Sequence, residues 1–302
     1  MINLSRLLRN RNFIFIAALV LGLFFPGASS ATSQLILPAL ALAMILSTMD
    51  IGNDLFRRPR TLLFPALIGI LMNYLLLSGI IVALGALLLK DEKLWAGTVL
   101  LAAVPPAVAV VPFSDFLNGK RDLSLIGTAG AYIGGLAVMP LITFTLLSPE
   151  AFAPLKLLVV VIELIILPLV ISRLLIWKGW SKKISPWKGE ITNWSFFLVL
   201  YTLVGLNSAV FLSLNPVLLA IAVIPIATNF ILGLLIETIG RFFKISAPTR
   251  TSLVLLGTLK NQGMAGGLAL TLFGKEAAIP AAVCTASMIV YIIWLDLLKR
   301  GK

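Results

Sequence analysis

The stretch Gly257-Thr258-Leu259-Lys260-Asn261-Gln262-Gly263-Met264-Ala265-Gly266-Gly267 places a lysine in the middle of an otherwise apolar segment, residues 253–273. A cation at membrane depth is costly unless it faces a protein interior, a water-filled cavity or a counter-charge, so a lysine there indicates a functional site. A helix that only anchors the chain has no need of four glycines beside such a group. We therefore interpret this stretch as a broken helix that lines a site.

The composition is that of a membrane protein. Hydrophobic residues make up 60% of the 302 residues and charged residues 12%, whereas about 25% of a soluble domain is charged. The mean hydropathy is +1.06. The 24 Lys and Arg exceed the 12 Asp and Glu, but they cluster in short connections, where they set topology and face anionic lipid. The predicted fold class is an all-α polytopic membrane protein that contacts the lipid bilayer and no nucleic acid.

Enzymatic chemistry has few residues to use in this chain. It has no histidine and a single cysteine, Cys284, so the usual general base, most metal ligands and an internal disulfide are missing. We expect no enzyme activity, no cofactor and no metal other than sodium. A sensor would normally append a soluble domain, whereas spans and short loops account for all 302 residues.

Ten ranges of the chain are apolar and close to the length of about 20 residues that a membrane-spanning helix requires. They are residues 12–28, 34–49, 61–89, 94–117, 123–147, 154–177, 192–212, 215–240, 250–273 and 277–298. A basic loop lies around residues 178–188.

The distribution of positive charge supports these ten spans. With a cytoplasmic N-terminus, nineteen of the 24 Lys and Arg fall on the cytoplasmic side, four fall on the other side, and Lys260 lies within a span. An excess of Lys and Arg is typical of loops on the cytoplasmic face. We therefore expect both termini to be cytoplasmic, in a prokaryotic plasma membrane.

Ten spans divide into two halves of five, residues 1–150 and 151–302, and an odd number per half gives the halves opposite orientations. Transporters built from such inverted repeats place their sites where corresponding helices are interrupted. Lys260 lies in the fourth span of the second half. The fourth span of the first half contains Pro105, Pro106 and Pro112, which interrupt helical hydrogen bonding. We predict that both fourth spans are broken.

Three stretches resemble the bile acid:sodium symporter family. The connection Met49-Asp50-Ile51-Gly52-Asn53-Asp54-Leu55-Phe56-Arg57-Arg58-Pro59-Arg60 resembles the family's amphipathic hinge. The proline-bearing fourth span ends Leu117-Asn118-Gly119, with Leu123-Ser124 beyond it, as in the family. Lys260-Asn261-Gln262-Gly263-Met264-Ala265 is similar to the family's Gln-Asn-Ser-Gly-Leu-Ala. The resemblance covers essentially the whole chain and rests on the order and spacing of these motifs.

The resemblance implies a panel of spans 1, 2, 6 and 7 beside a core of spans 3 to 5 and 8 to 10, in which broken spans 4 and 9 cross. A small organic anion would bind between panel and core and cross the membrane by alternating access. Glu163 adds a second charge inside a span, and Asn229 a polar side chain in span 8. The substrate-binding residues expected from all these features are Lys260, Asn261, Glu163, Pro106, Pro112 and Asn229.

The sequence departs from the family at its sodium sites. Val110 and Val111 stand where relatives carry Ser-Asn, Leu256 where they carry Glu, and Lys260 where they carry Gln. A glutamine of span 3 falls on Gly69, with Asn73 one turn away. Sodium prefers several oxygen ligands and usually a carboxylate, so these changes argue against the family's coupling. The remaining candidates for ion binding or coupling are Lys260, Ser124, Thr128, Asn73 and Glu163.

Lys260 then has two interpretations that the sequence leaves open. Its ammonium group pins the crossing of two half-helices, or it takes part in coupling or anion binding, since buried lysines exchange protons readily. The alternative to an organic anion carrier is a cation/proton antiporter or a metalloid efflux carrier of the same fold. Arsenite carriers of this type use a cysteine in span 4, which this chain lacks. The oligomeric state, including a monomer, also stays open.

Overall fold

The computed structural model describes residues 10–49, 59–107, 109–147, 159, 162–212 and 216–300, without the side chains of residues 11, 12, 47, 59–61, 112, 115, 116, 164, 165, 210, 299 and 300. Within these ranges the chain is almost entirely helical. Five of the described helices are long and apolar enough to cross a membrane, which makes the chain an all-α membrane protein: Pro26–Leu46, Leu62–Leu88, Arg121–Leu146, Pro216–Phe242 and Glu276–Leu298.

The main α-helices follow one another along the chain. In chain order they are α1 (Arg11–Phe24), α2 (Ile36–Thr48), α3 (Pro59–Ile70), α4 (Ser78–Leu88), α5 (Glu92–Ala103), α6 (Val110–Phe116), α7 (Arg121–Leu146), α8 (Leu167–Trp177), α9 (Ser181–Leu206), α10 (Ser208–Leu212), α11 (Pro216–Pro225), α12 (Leu232–Phe242), α13 (Ala247–Thr258), α14 (Gln262–Phe273) and α15 (Ile279–Arg300). π-Helical turns over Leu71–Leu77, Ile162–Ile166 and Ile226–Ile231 lead into α4, α8 and α12.

Both interruptions that the sequence predicts are present. Helix α5 ends at Ala103, and Val104 is extended, with φ −66° and ψ 154°, as expected for a residue that precedes proline. Helix α13 ends at Thr258, and Leu259 is again extended, with φ −110° and ψ 117°. The chain becomes helical again at α6 and α14, so each of these two regions consists of two half-helices joined by an extended segment.

Small residues let the helices pack closely. A β-carbon on Gly69 of α3 would lie 2.0 Å from the carbonyl oxygen of Gly127 in α7, so the two backbones touch.

The outer surface of the protein is apolar: the exposed fractions of Phe64 and Phe242 are 72% and 81%. Exposed apolar surface of this kind fits contact with lipid chains.

Polar residues mark the ends of several helices. Lys93 of α5 donates a hydrogen bond of 2.5 Å to Glu276, just before α15, and this bond raises the pKa of Lys93. Glu237 of α12 accepts hydrogen bonds from Arg241, at 3.0 Å, and from Arg250 of α13, at 3.1 Å. These ion pairs lie at helix ends, where water reaches them.

The predicted basic loop around residues 178–188 is mostly helical. A turn at residues 178–180, with Gly179 at φ +72°, connects α8 to α9, and α9 begins at Ser181. Lys182 and Lys183 are exposed, so the helix satisfies its own backbone while its charges remain solvated. The sequence pattern located the charges correctly, but it did not show that they lie on a helix.

Candidate functional site at a crossing of two interrupted helices

The two extended segments cross and pair with each other. The backbone N–H of Ala107 donates to the carbonyl oxygen of Leu259 at 3.2 Å, and the N–H of Asn261 donates to the carbonyl oxygen of Pro105 at 3.0 Å. These bonds form an antiparallel bridge with Pro106 opposite Lys260. The pairing satisfies backbone groups that the breaks would otherwise leave without partners.

Lys260 points into a cluster of oxygen atoms at this crossing. Its Nζ donates to Oδ1 of Asn73 at 2.7 Å and to the carbonyl oxygens of Ala102 and Val104, both at 2.8 Å. The same nitrogen lies 4.6 Å from the centre of the Tyr74 ring, within reach of a cation–π interaction. The side chain is buried, with 2% of its surface exposed.

The contacts of Lys260 satisfy the end of α5. The last carbonyl groups of a helix have no partner within it and carry the negative end of the helix dipole, so an ammonium group there is favourable. Asn73 binds the end of the other half-helix, α13: its Nδ2 donates to the carbonyl oxygens of Leu256 and Leu259 at 3.3 and 3.4 Å. Lys260 and Asn73 together therefore hold the ends of both α5 and α13.

Asn261 holds the start of α14. Its Oδ1 accepts from the N–H of Met264 at 3.1 Å, an N-terminal cap. Its Nδ2 donates to the hydroxyl of Tyr132 at 3.1 Å, and that hydroxyl donates to the carbonyl oxygen of Pro106 at 3.0 Å. Both groups also approach the sulfur of Met44 at 3.6 Å. The crossing is thus tied to α7 and touches α2 through a weak contact.

A cavity lies against the crossing, between α1, α9, α14 and α15. It contains about 520 Å³ of space, including its open mouth. Gln262 lies at its wall, is 5% exposed, and its side-chain oxygen has no hydrogen-bond partner. The lining is otherwise mostly apolar and comprises Phe15, Ala107, Ala109, Phe196, Val199, Leu200, Leu203, Lys260, Asn261, Gln262, Gly263, Thr285 and Met288.

The structure brings some of the predicted site residues together and leaves others apart. Lys260, Asn261, Pro106 and Asn73 meet at the crossing. Pro112 belongs to α6, but its side chain lies outside the described residues. Three further side chains do not line the cavity: Ser124 and Thr128 are buried with unpartnered hydroxyls, and Asn229 is buried with an unpartnered Nδ2.

Glu163 lies away from the crossing. It is an exposed residue of the π-helical turn Ile162–Ile166, in which Ile162 and Ile166 are also exposed. It is absent from the cavity lining. A role for Glu163 in substrate binding or coupling therefore stays a prediction that depends on another conformation of the protein.

Sequence reasoning missed several residues of the site, notably Tyr132, Tyr74 and the side chain of Gln262. The tyrosines had a detectable signal. Membrane proteins concentrate tyrosine at the two interfaces, whereas Tyr74 and Tyr132 fall in the middle of predicted spans. A tyrosine at that depth needs a partner for its hydroxyl group, which predicts a polar neighbour.

No protein-family model and no curated protein matches this sequence.

Proposed function

We propose that this protein is a secondary transporter of a small organic anion that works by alternating access, similar to the bile acid:sodium symporter family. The observation that carries the proposal is the hydrogen-bonded crossing of two interrupted helices that forms one wall of a cavity. Transporters with inverted repeats bind substrate near the bilayer midplane, at discontinuous helices whose N-termini point at anionic groups. A helix that serves only as an anchor needs no such break.

A correspondence between the two halves of the chain supports the inverted repeat. The third predicted span of each half contains a π-helical turn with an asparagine followed by an aromatic residue, Asn73-Tyr74 and Asn229-Phe230. The fourth span of each half is interrupted by an extended segment. We infer ten spans in two halves, residues 1–150 and 151–302, with a panel of spans 1, 2, 6 and 7 beside a core formed by the others.

The cavity suits a small organic anion with one polar end. Phe15, Phe196, Leu203 and Met288 supply apolar walls, while Gln262 has an unpartnered amide oxygen, which can accept a hydrogen bond from a hydroxyl group of the substrate but cannot bind its anionic group. The first turn of α14 adds the positive end of its dipole, while the N–H groups of Gln262 and Met264 already donate to the carbonyl oxygen of Lys260 and to Oδ1 of Asn261. The ammonium group of Lys260 uses its hydrogen bonds inside the protein, so it acts on an anion through its field and not through direct contact.

Sodium coupling is altered or absent in this proposal. Ser124 and Thr128 retain their hydroxyls, but Leu256 packs against Gly127, which lies between them in sequence. Sodium requires more oxygen ligands than two hydroxyls. Gly69 leaves no room for the glutamine of relatives, because a β-carbon there already meets the backbone of α7. The carrier is then facilitative or linked to protons.

Reconstitution tests both parts of the proposal. The purified protein is first mixed with a panel of organic monoanions, and those that raise its melting temperature are taken forward, because a ligand of the folded state stabilises it. Counterflow of the labelled anion into liposomes is then measured in sodium and in choline buffers. We expect equal counterflow in both. The absence of counterflow for every stabilising anion would reject transport, and counterflow only in sodium would reject the coupling.

A further inference from the structure

We infer that the oxygen atoms around Nζ of Lys260 form a binding site for a monovalent cation, which this chain fills with its own tethered ammonium group. The site is called the ammonium pocket below and consists of Asn73 Oδ1, the carbonyl oxygens of Ala102 and Val104, and the face of the Tyr74 ring. This inference does not depend on what the neighbouring cavity binds.

The geometry of the ammonium pocket requires the charged form of the lysine. Three oxygens lie 2.7 to 2.8 Å from Nζ. An ammonium group has three N–H donors for them, whereas a neutral amine has two donors and a lone pair that would face the third oxygen. The orientation of the Asn73 amide is fixed independently, because its Nδ2 donates to the carbonyl oxygens of Leu256 and Leu259.

The groups around Nζ of Lys260 attract a cation although they are electrically neutral. Ala102 and Val104 lie at the negative end of α5, and the ring face of Tyr74 is also electron-rich. Ser78 donates to the carbonyl oxygen of Ala102 at 2.6 Å, which still leaves that oxygen able to accept from Lys260. In the described part of the chain, no acidic side chain pairs with Lys260. Neutral carbonyl oxygens of this kind replace the hydration shell of monovalent cations in potassium-selective channels.

A free cation has a path into the ammonium pocket once the lysine side chain is shortened. Lys260 is among the residues that line the cavity at the crossing, so the space vacated by its side chain adjoins an opening. Substitution by alanine removes three methylene groups and the ammonium group. Propylammonium has the same atoms and fits this space.

The test is the melting temperature of purified full-length Lys260→Ala with propylammonium chloride, tetramethylammonium chloride or sodium chloride at equal concentration. We expect propylammonium to raise the melting temperature of the variant saturably, by about 5 °C or more, and to leave the wild type unchanged. Tetramethylammonium carries the same charge but no N–H donor, so it should have no effect. A saturable rise with sodium would equally support a cation site. A folded variant that responds to neither propylammonium nor sodium would overturn it.

A second variant covers the case in which Lys260→Ala fails to fold. Lys260→Met restores most of the side-chain volume without the charge, and we expect a lower melting temperature than that of the wild type. Equal stability of Lys260→Met and the wild type would show that the pocket needs no cation and would refute the inference. For an unfolded Lys260→Ala, propylamine is added during expression: recovery of monodisperse protein supports the cation site, and no recovery rejects it.

Discussion

At the scale of single residues, the most specific prediction about stability concerns the hydroxyl group of Tyr132. It accepts from Asn261 and donates to the carbonyl oxygen of Pro106, so Tyr132→Phe leaves two buried groups unsatisfied, at a cost of about 1–3 kcal/mol. Tyr201→Phe is the matched control, since the hydroxyl of Tyr201 also donates once, to Phe25, and accepts once, from Ala28, but does so near an exposed end. Chemical denaturation in detergent should show the larger loss for Tyr132. Equal losses would contradict the role of Tyr132 in holding the crossing.

A substitution at Gln262 should affect substrate binding without affecting the stability of the protein. Its side-chain oxygen has no partner among the described residues, so Gln262→Leu should leave the melting temperature nearly unchanged. Loss of a hydrogen bond to substrate should raise the KM for uptake about threefold to tenfold. Asn261→Ala gives the contrast, because it removes the cap of α14 and should lower the melting temperature as well. An unchanged KM for Gln262→Leu would remove this residue from the binding site.

At the scale of elements, one transmembrane region contains two glycines with opposite expected effects. Gly69→Ala drives a β-carbon to 2.0 Å from the carbonyl oxygen of Gly127, whereas the same change at Gly79 meets no atom within 4 Å. We expect Gly69→Ala to destabilise the protein by about 1–3 kcal/mol through overpacking. Gly79→Ala should be neutral or stabilising by up to about 1 kcal/mol, because alanine favours a helix. Fluorescence-detected thermal unfolding of both variants measures the difference, and a tolerant Gly69 would disprove the close approach of α3 and α7.

The breaks in the fourth span of each half could be predicted from the sequence, but the residues that these breaks contact could not. Three prolines and a buried lysine are local signals, and they located both breaks in the sequence. The hydrogen bond from Lys260 to Asn73 joins residues 187 positions apart, and no local pattern encodes which segment meets which. The π-helical turns are equally invisible to hydropathy, because the apolar pattern of the span continues through them. Glu163 is a case in which a local signal misled. Its position inside a predicted span indicated a site, whereas the structure places it on the outer surface.

At the scale of the whole molecule, the charge distribution predicts which ends of the helices face the cytoplasm. The single native cysteine, Cys284, is buried, and its replacement by serine gives a background for introduced cysteines. Lys90 and Lys183 are both exposed, and the ten-span arrangement places them on opposite sides of the membrane. With the N-terminus inside, a membrane-impermeant maleimide should label Lys90→Cys in intact cells and Lys183→Cys only after lysis, because the basic loops stay cytoplasmic. Labelling of both positions in intact cells, or of Lys183→Cys alone, would contradict the ten-span arrangement with an internal N-terminus.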